Sequence, residues 1–130
     1  MTPDGQNANL ITPLDRAKGS ILGLVVADAL GSTVEFTSPV EIKQKYGPAG
    51  QTEMRGGGFL NWAVGDYTDD SQMMLCLLES LVATNREAVT GLDVEDLGRR
   101  FVGWYDSRPP DIGITVSQAL SRLKSGVPAA

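Results

Sequence analysis

Apolar positions recur at helical spacing along most of the chain, and nowhere do they alternate as a half-buried strand would. Thr12-Pro13-Leu14-Asp15 carries the signals of a helix start: a threonine cap, proline at the first helical position, and an acid able to reach back to the cap. That helix is expected to run to Leu30 and to stop at Gly31. Gly19, Gly23, Ala27 and Gly31 recur every fourth residue, so one face is nearly bare and another backbone can approach it closely. Ile21, Leu22, Leu24, Val25 and Val26 cover the other faces, a pattern suited to a helix at the centre of a structure.

Ser38-Pro39-Val40-Glu41 repeats the capping logic for a short helix to Tyr46, with Gly47 as terminator. Between Gly47 and Tyr67 no periodicity persists. The run Gly56-Gly57-Gly58 and the aromatics Phe59 and Trp62 mark this long connection as an ordered, functional loop. A third helix starts near Asp70 and places Met73, Met74, Leu77, Leu78, Leu81 and Val82 on a wide stripe up to about Thr84. A fourth, capped by Asp93 with Asp96 three residues on, aligns Val94, Leu97, Phe101 and Trp104 or Tyr105 before Arg108-Pro109-Pro110 breaks it. A fifth begins at Thr115, aligns Val116, Ala119, Leu120 and Leu123, and ends at Gly126 before Pro128.

The architecture expected is an all-α helical bundle with long loops and no internal repeat. Residues 1–11 read as a flexible polar tail and residues 12–130 as the structured part. Two of the helices are too apolar for a self-contained bundle of this size. Partners for them would be further sequence, a second copy, or each other, and further sequence is the expectation.

Composition narrows the chemistry. The 130 residues suit one domain, and 42% hydrophobic with 21% charged residues is ordinary for a globular protein. Sixteen acidic against 11 basic residues give a net charge of -5, which opposes binding to nucleic acid. Cys76 is the only cysteine, so an intrachain disulfide and a structural zinc site are excluded, and an inert buried thiol is expected. There is no histidine, which removes Ser-His and Cys-His schemes and leaves carboxylates and metal-bound water as hydrolytic tools. The N-terminus lacks the basic and apolar regions of a signal peptide, and the apolar run Ile21 to Leu30 contains Asp28 and is short for a bilayer. No membrane association and a cytoplasmic location are therefore expected.

Candidate chemistry sits at four places. Thr68-Asp69-Asp70 sets three oxygen donors just before a helix, as hard cations such as Mg²⁺ or Mn²⁺ require, although one of them could simply cap that helix. With Asp66 nearby, the surplus charge faces water or a cation. Asp28 lies late in an apolar helix, near the negative dipole end, and needs a partner. Glu35 follows in Gly31-Ser32-Thr33-Val34-Glu35-Phe36, where an exposed surface glutamate is the ordinary reading. Asp111-Ile112-Gly113-Ile114-Thr115 leads into the fifth helix as a diphosphate cradle or as an ordinary turn.

From about Arg16 to Gly126 the chain resembles the ADP-ribosylglycohydrolases, including the dinitrogenase reductase-activating type. Two stretches carry the resemblance: Gly23-Leu24-Val25-Val26-Ala27-Asp28-Ala29-Leu30-Gly31 with Glu35 following, and Gly65-Asp66-Tyr67-Thr68-Asp69-Asp70-Ser71-Gln72-Met73. The resemblance implies an all-α bundle with a two-metal centre of Mg²⁺ or Mn²⁺ in a cleft. It makes Thr68, Asp69 and Asp70 ligands of one ion and Glu35 the acidic active-site residue beside Asp69 and Asp70. It places Gly113, with Asp111, in the loop beside the ADP-ribose diphosphate. The implied substrate is an ADP-ribosylated protein, and the implied reaction is hydrolysis of the bond from the distal ribose to a side chain, often arginine. Ser71 stands where threonine is usual and Ala27 where glycine is usual. The family's later Asp-x-Asp-Thr and Gly-Asn-Gly segments do not occur here. The chain is thus expected to supply only part of a site and to be weak or inert alone. It would work with a complementary C-terminal chain, or else serve as a metal- or ADP-ribose-binding module or a self-associating helical scaffold.

Overall fold

In a computed structural model, described here for residues 11–86 and 91–127, the helices begin where the capping residues put them. Helix α1 spans Pro13–Gly31, and Thr12 and Asp15 close a reciprocal capping box at its start, with the Thr12 hydroxyl oxygen accepting from the Asp15 amide. Helix α2 spans Pro39–Tyr46 with the same device from Ser38 and Glu41, and it ends at Gly47, whose φ of 85° no β-carbon favours. Helix α3 covers Asp69–Arg86, α4 Val94–Asp106 and α5 Ile114–Lys124. Among the described residues there is no strand, only one isolated bridge between Gly57 and Trp62. The fold is all-α, as the periodicity implies. The tail expectation for residues 1–11 falls almost wholly outside the described residues.

Three local expectations are corrected. Gly31 does not stop α1 in a left-handed conformation: its φ is -79°, and the chain passes directly into a 3₁₀ turn over Ser32–Val34. A glycine is not required there because the Leu30 carbonyl is satisfied from elsewhere, by the Gln51 amide Nε2 at 2.7 Å. Asp96 does not complete a capping box either. Asp93 alone accepts from the Glu95 and Asp96 amides. The Asp96 carboxylate turns to Arg100 at 2.7 Å, and Arg100 also reaches Glu79, tying α4 to α3. Lastly, no backbone among the described residues packs on the glycine stripe of α1: a β-carbon built at Gly19, Gly23 or Gly31 would meet none of them within 4 Å.

Helix α3 is the spine, packed on α4 and α1, and α5 leans on α4. The Trp104 indole N–H donates to Gln72 across the α3–α4 contact at 2.6 Å, and Lys124 pairs with Asp106 across α4–α5. The core is thin. Ala29 and Leu120 are the fully buried apolar residues among those described, and the side chains buried most completely are Ser71 and Ser80. Cys76 is half-buried, and burial first, then the Glu79 carboxylate, push its thiol up, so it stays protonated and unreactive.

The opening helix is also longer than its apolar run. Pro13–Val34 is continuous helix and turn over 22 residues, and an 18-residue window within it has a mean hydropathy of 1.3, long and apolar enough to cross a membrane by length and composition alone. What argues against that use is Asp28, which the rest of the fold engages through hydrogen bonds.

Candidate active-site cleft

A polar carboxylate in the last turn of an apolar helix sits against the negative end of the helix dipole and needs donors. Asp28 finds them 40 and 43 residues away, at the start of α3. Its carboxylate accepts from the Thr68 amide at 3.0 Å, the Thr68 hydroxyl at 2.7 Å and the Ser71 amide at 3.1 Å. The Ser71 hydroxyl donates to it as well. The Ser71 amide is one of the orphan donors of the first turn of α3, so Asp28 caps that helix from outside its own segment. Desolvation pushes the Asp28 carboxyl up, but the bonds from Ser71 and Thr68 together outweigh it and hold the group below its ordinary 3.8.

This arrangement answers why so many oxygen donors crowd one helix start. With Asp28 as the cap, Asp69 and Asp70 are not needed for that task. Thr68 spends its hydroxyl proton on Asp28, which leaves its oxygen lone pairs available. Both aspartates line an open cleft of about 690 Å³, together with Thr68 and Asp28. Leu24, Ala27 and Gly31 of α1 also line it, with Ser32 and Val34 of the 3₁₀ turn and Glu35 just after it.

Glu35 and the Thr68–Asp70 run therefore share one cleft. The residue Glu35 is exposed, but partial desolvation of its carboxyl, then the carboxylates of Asp111, Asp69, Asp70 and Asp28, push it up. Asp111 is raised in the same way, by desolvation first and then by Asp69, Asp28 and Asp70. Asp66 stands apart: its carboxylate accepts from the Ala63 amide at 2.7 Å and closes a local turn.

Asp111 and Gly113 border the cleft rather than line it. The Gly113 amide donates to the Asp69 carboxylate at 3.2 Å, joining the starts of α3 and α5. Gly113 itself caps α5 without a side chain.

The donor types fit a hard cation: carboxylate oxygens and a hydroxyl, with no sulfur or imidazole. The ligand shell is not closed. Among the described residues no group of three or more Asp, Glu, Cys or His side chains is gathered closely enough to hold an ion.

Two positioning contacts were not legible in the sequence. Gln51, in the long loop, donates to both the Leu30 carbonyl and the Thr33 hydroxyl, clamping the turn that carries Glu35. Gly58, with φ of 76°, lies so close to that turn that a β-carbon would sit 2.7 Å from Thr33 Cα. Only the triple glycine hinted at it. Gly58→Ala is expected to cost about 2 kcal/mol, from overpacking against backbone and a left-handed φ together. Urea unfolding checks it, and a loss under about 0.5 kcal/mol would mean the loop does not press on the turn.

Comparison with known proteins was consistent along the chain. Residues 9–130 match the family model described as ADP-ribosylglycohydrolase. The ADP-ribosyl-[dinitrogen reductase] glycohydrolase of Rhodospirillum rubrum is 45% identical over 108 residues, covering 83% of this chain and 34% of that protein. The ADP-ribosylarginine hydrolase Tri1 of Serratia proteamaculans (strain 568) is 36% identical over 121 residues, covering 87% of this chain and 30% of the relative. Its namesake in Pseudomonas putida (strain GB-1) is 34% identical over 122 residues, 88% and 30% respectively. The chain thus spans about a third of the length of the curated relatives it matches.

Proposed function

The chain belongs to the ADP-ribosylglycohydrolase family, and from that premise we propose that its cleft is one wall of a site that hydrolyses the glycosidic bond between ADP-ribose and a modified side chain, arginine in the first instance. The observation that carries the reading is the meeting of Glu35 with Thr68, Asp69 and Asp70, from two separate elements, in one cleft. The names of the relatives, which act on ADP-ribosylated dinitrogen reductase or on ADP-ribosylarginine, support the substrate class.

The cofactor proposed is Mg²⁺ or Mn²⁺, held on this side by Thr68, Asp69 and Asp70. A bound hard cation would orient ribose hydroxyls and polarise water. Breaking a glycosidic bond passes through an oxocarbenium-like carbon, and a carboxylate facing it stabilises the positive charge. Glu35 suits that place. Glu35 is also placed to take a proton from water as the oxygen bonds to the ribose carbon and the carbon–nitrogen bond breaks, and to pass that proton to the departing guanidine nitrogen. Asp111 and Gly113 would border the bound ADP-ribose. There a carboxylate suits ribose hydroxyls better than a diphosphate.

The open ligand shell favours one further reading, a wall that binds metal or ADP-ribose without turning it over. Release of free ADP-ribose from an ADP-ribosylated arginine peptide with Mn²⁺ decides between them, measured on this chain alone and with the C-terminal two-thirds of a relative. Hydrolysis that falls by about a hundredfold in Glu35→Gln is expected. Binding by calorimetry with no release in either setting would overturn the hydrolytic reading.

A further inference from the structure

Glu35 enters the cleft from a turn whose next residue is strained. Phe36 holds φ at 59°, a left-handed conformation that its β-carbon disfavours. Such outliers persist only where the surrounding structure fixes them, and they gather at sites that use them. Here the fixing comes from the long loop: Gln51 holds the turn through Leu30 and Thr33, and Gly58 packs its backbone on Thr33. The residue after that glycine, Phe59, meets the Phe36 ring edge-on, with centroids 5.5 Å apart and planes at 72°. Yet the pair buries little, for Phe36 is 76% exposed and Phe59 77%. The fold thus carries backbone strain and two bared rings in return for one edge contact. Stability does not account for that arrangement.

We propose that Phe36 and Phe59 set target specificity: the corner between their rings seats an apolar side chain of the target protein that lies within about two residues of the modified arginine. Three observations select that occupant. The first is position. Adjacent Cα atoms lie about 3.8 Å apart, so Phe36 starts one step along the chain from the carboxylate that lines the cleft. A polypeptide whose arginine reaches Glu35 brings its neighbouring residues over the rings. The second is chemistry. Phenyl rings offer no donor or acceptor to ribose or diphosphate, and the adenine lies at the far end of ADP-ribose from the bond at Glu35. Glu35, Asp69 and Asp70 suit a cationic guanidine but cannot read what flanks it, whereas aromatic rings beside a charged site give apolar contact to a neighbour. The third is preorganisation. Gln51 and Gly58 hold the turn and loop in place before a target arrives, so little ordering entropy is lost on contact. The inference rests on the reading of the cleft as a site for ADP-ribosylated side chains, but not on turnover, so its test reads binding.

Fluorescence anisotropy with Mn²⁺ present compares two ADP-ribosylarginine peptides, one with leucine on either side of the modified arginine and one with glycine. The unaltered chain is expected to bind the leucine peptide about tenfold more tightly. Phe36→Ser with Phe59→Ser should abolish that preference, while the glycine peptide and free ADP-ribose bind as before. Phe36→Gly alone suits the left-handed backbone, so it should reduce the preference with the unfolding midpoint kept, which separates a lost contact from a lost fold. No preference in the unaltered chain, a preference that outlives the double variant, or an equal loss toward both peptides or toward ADP-ribose would overturn the proposal. A preference without hydrolysis would sink turnover and leave the role of the pair standing, and hydrolysis without a preference would do the reverse. Failure to bind either peptide would overturn both.

Discussion

Asp28→Ala is expected to lower the unfolding free energy of the chain by about 3 kcal/mol, the largest loss of any single side chain near the cleft. Its carboxylate takes hydrogen bonds from two amides and two hydroxyls, all at the start of α3. Charge-assisted bonds contribute about 1.5–3 kcal/mol each when taken singly. They share one half-buried group here, so the sum is discounted to about that of two. The alanine variant strands the Ser71 hydroxyl and amide in a fully buried position, which is where most of the cost arises. Asp28→Asn should lose nearly as much, because one acceptor oxygen becomes a donor facing other donors. The pH dependence follows from the depressed carboxyl. Its contribution is complete above the unfolded value near 3.8 and is lost as pH falls through the lower folded value. Urea titrations monitored by circular dichroism should therefore separate the unaltered chain from Asp28→Asn at neutral pH and bring them together in strong acid. A gap under about 0.5 kcal/mol at neutral pH would show that α3 does not depend on its borrowed cap.

Asp69→Ala combined with Asp70→Ala should leave the metal-free fold standing but weaken Mn²⁺ binding by about a thousandfold, near 4 kcal/mol. Neither aspartate caps α3, and removing them relieves the repulsion felt by Glu35 and Asp111. The structural loss is confined to the Gly113 amide, which gives up its partner on Asp69. Thermal unfolding measured with and without Mn²⁺ provides the readout. Ion at about 100 times its dissociation constant should stabilise the unaltered chain by about 2.7 kcal/mol and the double variant hardly at all. Equal stabilisation of both proteins, or none of either, would remove the cation from this side of the cleft.

Borrowed capping also explains what sequence reading could and could not see. In the Thr68–Asp70 run, local pattern leaves two uses open, a cap or a cation, because both draw on the same oxygen donors. The competition ends only when Asp28 arrives from α1 and takes the capping role, which frees the aspartates for the cleft. Gly31 shows the reverse: α1 ends at it without the left-handed conformation of a glycine stop, as the chain turns on into the 3₁₀ segment and Gln51 takes up the Leu30 carbonyl.

What the sequence by itself determined is everything decided within three or four residues. That includes the starts of α1, α2 and α4 at Thr12, Ser38 and Asp93, the turn at Gly47 and the all-α class. Such features depend on backbone groups a side chain can reach from its own turn, so their signals are contiguous in the chain. Tertiary structure alone decided that Asp28 serves Ser71 43 residues on, that Gly113 serves Asp69 across 44, and that Gly58 presses on Thr33. Those pairings exist only once packing has brought distant backbone together, and no local spacing encodes which distant donor a half-buried carboxylate will meet.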